Sequence, residues 1–195
     1  MTSDYRFLTI IVFVAAVACL VYYTQFMVRH KAEIDESIEY LRQNRPISRR
    51  AYLPNENVYE DFKNNFWDER CLSAMAGDIL RHLGLPNSHV PVYVVESMEG
   101  KAVGLYKQSG SGSSIEINIS QFAVSNEVLA VLIHETMHYY LRMTGLGFPD
   151  TLKNEILTDT ATIYFGFYNY IYDGYLHAGY IRYSEIKYIE KVLCK

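Results

Sequence analysis

The five residues His134-Glu135-Thr136-Met137-His138 constrain this 195-residue chain more than any other feature. Two imidazoles four positions apart share one face of an α-helix about one turn apart, so both can reach a single cation. The surrounding run VLAVLIHETMHYYL (128–141) is strongly helical in composition, and a helix is predicted over 126–143. Glu135 follows the first histidine and is offset from the shared face, where it can accept a proton from a water at the cation. Chance produces this pattern roughly once in a hundred chains of such composition, so a third ligand has to decide.

A third ligand is available one loop away. After TGLGFP (144–149), a helix predicted from Thr151 to about Tyr170 carries Glu155 and Asp159, four apart on one face. Glu155 would complete a His₂Glu set for one Zn²⁺ ion, with the fourth position left to water. Asp159 is suited to accept the free N–H of one ligand imidazole, fixing its tautomer and raising its basicity. Both carboxylates lie among Ile156, Leu157, Ala161, Ile163 and Tyr164, where burying them unpaired would be costly.

The remainder of the chain reads as α+β behind an amino-terminal anchor. From Phe7 to Val28 the 22 residues carry no charge, enough for a helix to cross a hydrocarbon core about 30 Å thick and longer than a signal-peptide apolar region. A single-pass transmembrane anchor in the lipid bilayer is expected at 7–28. Arg6 stands alone before the run, while Arg29, Lys31, Arg42, Arg45, Arg49 and Arg50 follow it, which predicts a cytoplasmic carboxy-terminal domain. Residues 29–56 read as a juxtamembrane helix (31–44) and a polar linker, and 57–195 as the folded domain. Within that domain the spacing predicts a helix over 65–83 and strands at 90–97, 101–108 and 114–120 in a small antiparallel sheet, with a final helix over 184–194.

Composition excludes other classes. Half of the residues are hydrophobic, too many for a disordered chain, and the net charge of −4 argues against a nucleic-acid partner. Three widely spaced cysteines outside any CxxC pair suggest neither a disulfide framework nor a thiolate metal site.

HExxH followed on a second helix by Asn154-Glu155-x-x-Thr158-Asp159 resembles the gluzincin metallopeptidases, the thermolysin-like clan. The resemblance covers about Ile115 to Phe165 and implies a zincin-like helical bundle. It also implies zinc on His134, His138 and Glu155, Glu135 as general base, Asp159 behind a ligand histidine, and a peptide or protein substrate. In that group the strand before the active-site helix binds substrate as a sheet edge, a place occupied here by Ser114–Ser120. The oxyanion-stabilising residue of larger members has two candidates, His177 and Tyr180, and the large carboxy-terminal domain of those members has no counterpart. The expected function is zinc-dependent peptide hydrolysis; the alternative is a tethered binding or sensory module with a purely structural zinc, which would require a fourth protein ligand.

Overall fold

The computed structural model describes residues 13–14, 28–46, 50–98, 102–110, 112–174 and 180–194. Its elements run α1 (Lys31–Asn44), α2 (Glu56–Asn64), α3 (Glu69–His82), β1 (Val92–Val95), β2 (Gly104–Ser109), β3 (Gly112–Asn118), α4 (Ser125–Met143), α5 (Thr151–Tyr164), α6 (Tyr168–Gly174) and α7 (Tyr183–Leu193). The class is α+β.

Helix α4 carries apolar residues around most of its circumference and therefore belongs in the middle. Nearly every residue from Val128 to Leu141 is buried. The helix contacts α3, β2 and β3 as well as α5 and α6. Residues read as leading from anchor to domain contribute to the same core: Ile34, Ile38 and Leu41 of α1 are buried, and α1 contacts α5. Tyr52, in the segment read as linker, is buried too, with its hydroxyl donating to Asp78 Oδ2 (2.8 Å) and its amide to Gly166 O (2.9 Å).

The transmembrane expectation is corrected. Among the described residues no helix is long and apolar enough to cross a membrane. Apart from Phe13, Val14 and Val28, residues 7–28 lie outside the described residues. A span needs about 20 continuous apolar residues. The longest described helix, α4, has 19 residues, carries Glu127, Glu135 and Arg142, and covers its apolar side chains with protein. Single-pass placement in a bilayer, and the cytoplasmic side assigned with it, are therefore without support.

The sheet is mixed rather than antiparallel. Its order is β1-β3-β2, with β1 parallel to β3 (Val92 opposite Ile115) and β2 antiparallel to β3 (Tyr106 opposite Ile115). The predicted chain of hairpins assumed that consecutive strands pair. Instead the connection from β1 reaches the far edge, and β3 returns to the centre, the one strand whose Ile115 and Ile117 are both fully buried. The outer edge of β1 is closed by α3, since Val92 N–H donates to Ser73 Oγ (2.9 Å) and Val94 N–H to Glu69 Oε1 (2.9 Å).

Two helix boundaries also differ from the predicted ones. The helix expected over 65–83 begins at Glu69, because the Asp68 side chain accepts the amides of Arg70 (2.8 Å) and Cys71 (3.2 Å) and caps it. The helix expected to continue to 170 ends at Tyr164. Gly166 follows at φ +94°, where a Cβ would strike the Arg50 carbonyl oxygen, and the chain turns into α6.

Candidate metal centre

Helix α4 supplies His134 and His138 from its buried face, and α5 brings Glu155 across from the neighbouring helix. His138 Nε2 lies 3.1 Å from His134 Nε2 and 3.1 Å from Glu155 Oε2, while His134 Nε2 lies 3.3 Å from the same carboxylate oxygen. These atoms form a nearly equilateral triangle. Four ligands at about 2.0–2.1 Å around a tetrahedral ion would stand about 3.3–3.4 Å apart, so the donors are spaced for one small cation. Among the described residues this is the group able to hold a metal ion, and no fourth His, Cys, Asp or Glu joins it.

The far side of each ring shows which nitrogen faces the centre. His134 Nδ1 lies 2.8 Å from Asp159 Oδ1, and a fully buried carboxylate in that position accepts the Nδ1 proton. Thr158 Oγ1 donates to Asn154 O (2.9 Å) and stands 3.2 Å from His138 Nδ1, so the hydroxyl oxygen accepts from that ring. With both protons on Nδ1, two bare Nε2 lone pairs and a carboxylate oxygen converge. That convergence is repulsive unless positive charge lies among the three.

The surrounding field supplies the same bias. Burial works against a charge on His134, yet Asp159, and Glu155 beyond it, raise its pKa well above the ordinary histidine value. Burial likewise opposes ionisation of Glu155, but the two imidazoles, wherever they carry a proton on Nε2 towards it, hold its carboxyl down at about 2. A cation at the triangle exploits the field that otherwise favours protons there.

Glu135 stands outside the triangle. It is buried, and its Oε2 accepts the Tyr106 N–H of β2 (2.8 Å). Burial raises its pKa, with the two imidazoles pulling the other way. The close approach of β2 depends on Gly104, where a Cβ would lie 2.8 Å from Glu135 Oε1 and collide with Val131. The Tyr106 ring lies parallel to that of His138, with centroids 6.4 Å apart.

Of the two candidates for oxyanion stabilisation, His177 lies outside the described residues. Tyr180 is half exposed; its amide donates to Asp159 Oδ2 (2.8 Å), and the Ile181 amide donates to the same oxygen (3.1 Å). The phenol pKa is raised, first by burial and then by Glu155, Asp159 and Glu135, so the hydroxyl keeps its proton near these carboxylates. The edge role expected of Ser114–Ser120 is corrected. Residues 114–118 belong to β3, paired on both sides, and the edge strand beside Glu135 is β2.

Gly104 and Tyr106 escaped the sequence reading, and Thr158 entered it as a motif position with no role assigned. Gly104 left a trace, an isolated glycine inside a strand-like run, which signals close backbone approach. Tyr106 acts through its main chain, which no side-chain pattern reveals. Thr158, three residues after Glu155, belongs to the same motif, but its contact with His138 Nδ1 needs the meeting of α4 and α5. Compared with family models, curated proteins and solved structures, the chain matches none, so the reading of this centre rests on its own geometry.

Proposed function

We propose that the chain is a zinc-dependent peptidase of the gluzincin type, hydrolysing peptide bonds with Glu135 as general base. The observation that carries the reading is the triangle of His134 Nε2, His138 Nε2 and Glu155 Oε2, with both ring protons drawn to the opposite side. Two imidazoles and one carboxylate with no fourth protein donor among the described residues suit an open zinc site better than a closed structural one. Zinc, when bound, polarises a carbonyl oxygen and brings the pKa of water to about 7.

The chain's own residues do the rest. The Tyr106 N–H fixes the Glu135 carboxylate beside the triangle. From there Glu135 removes a proton as the water oxygen bonds to the scissile carbonyl carbon, then delivers it to the departing nitrogen as the C–N bond breaks. Asp159 and Thr158 hold the two imidazoles in orientation. Strand β2, the edge nearest Glu135, is the one a bound peptide would extend. The Tyr180 phenol, kept protonated beside Glu155, Asp159 and Glu135, is a candidate donor to negative charge on the carbonyl oxygen.

Metal analysis together with a peptide-library cleavage assay tests this function. Wild type and Glu135→Gln are each expected to hold one zinc, with cleavage falling at least about 10²-fold in the variant; His134→Ala should lose both metal and cleavage. A Gln variant that cleaves like wild type would remove Glu135 from its role, and zinc without cleavage of any peptide would remove the peptidase.

A further inference from the structure

His134, His138 and Arg142 follow one another at four-residue intervals on α4. They share a helix face, and each step advances about 6 Å along the axis. Arg142 is exposed and, with His138, lines a cleft of about 870 Å³, a size suited to a ligand. Leu141, Leu146, Phe148 and Pro149 form its apolar side, and Tyr106 and Gln108 of β2 line it as well.

The charge of this cleft is one-sided. Among the described residues no Asp or Glu lines it and no carboxylate pairs with Arg142. Lysines nearby are already engaged: Lys107 pairs with Glu116 (2.7 Å) and Lys153 with Glu36 (2.8 Å). In a chain of net charge −4, an uncompensated guanidinium one helical turn beyond His138 is a local reversal of sign.

We propose that this cleft is a substrate subsite that selects a carboxylate, with Arg142 as the residue that reads it. The planar guanidinium fork grips a carboxylate through two parallel hydrogen bonds, and the apolar side holds the aliphatic part of the same residue. The inference rests on the peptidase reading and adds its substrate class: peptides that present negative charge within about one residue of the bond to be cut. That charge can come from a Glu or Asp side chain or from the carboxy terminus.

Fluorescence anisotropy on the full chain, zinc-loaded and carrying Glu135→Gln so that peptides stay intact, provides the test. The probes are three fluorescein-labelled hexapeptide pools free of Asp and Glu except where stated: one with a free carboxy terminus, one amidated, and one amidated with a single fixed Glu. At least one acidic pool should bind about five- to tenfold more tightly than the neutral amidated pool, and Arg142→Gln should abolish the difference; the tighter of the two acidic pools identifies the source of the charge. Equal binding of all three pools, no binding by any, or an Arg142→Gln variant that weakens acidic and neutral pools alike overturns the proposal. Cleavage by wild type separates the two ideas. Charge-blind cleavage sinks the subsite and keeps the peptidase, while charge-selective binding without cleavage keeps the subsite and sinks the peptidase.

Discussion

Asp159 makes no contact with the metal position, yet its replacement should be felt in both stability and affinity. Its fully buried carboxylate accepts His134 Nδ1–H at 2.8 Å, Tyr180 N–H at 2.8 Å and Ile181 N–H at 3.1 Å. Alanine strands at least these three donors, and at roughly 1–1.5 kcal/mol for each the fold should lose about 3–4.5 kcal/mol. For a chain of this length that is a fall of about 10 °C in Tm. Asparagine keeps one acceptor oxygen but turns an NH₂ towards either His134 or the two amides, so a loss of about 2 kcal/mol is expected. Either change also frees the His134 ring to carry its proton on Nε2, where the ligand lone pair should be, and zinc affinity should drop about 10- to 100-fold. Urea unfolding of the metal-free protein reads the first effect, and zinc competition with a chromophoric chelator reads the second. An asparagine variant as stable as wild type, with undiminished zinc affinity, would refute the assignment of the Nδ1 proton on which the lone-pair argument depends.

The remaining expectations concern the neighbours of that centre and one helix end. Thr158→Val keeps the side-chain volume and removes the oxygen 3.2 Å from His138 Nδ1; chelator competition should show zinc binding weakened about tenfold. Gly104→Ala places a methyl group against Val131 and Glu135, so it should cost about 1–3 kcal/mol in urea unfolding and reduce cleavage while zinc content stays at wild-type level. Asp68 caps α3, and its pKa is lowered by the Arg70 side chain and then by the Arg70 and Cys71 amides. Its contribution should be complete above the unfolded value of about 3.9 and vanish as pH falls through the lower folded value. The stability gap between wild type and Asp68→Ala should therefore close in acid; a gap unchanged at pH 2 would contradict the cap.

The candidate triad was legible because its members obey a local rule. His134 and His138 are one helical turn apart whatever surrounds the helix, and Glu155 and Asp159 repeat that spacing on α5. Their environment was less so. The run Asn65-Asn-Phe-Trp-Asp68 contains a capping residue that ends one local structure and begins another, and periodicity alone extended the helix across it. The apolar stretch at 7–28 illustrates a different limit, since length and hydropathy rank a segment without showing what it lies against.

Helix spacing, the residue types of the candidate metal ligands and the place of Glu135 beside them are therefore properties of the amino-acid order itself, because each depends on backbone geometry within a few residues. Strand order, the lie of β2 across Glu135, and the meeting of Asp159 with the Tyr180 and Ile181 amides depend on segments 20 to 30 positions apart in the chain. Apart from the isolated Gly104 in β2, no pattern along the chain marks those approaches. They exist because a helix with apolar residues around most of its circumference must be covered from nearly every side, and burying α4 draws β2 and α5 against it, with their backbone donors and carboxylates.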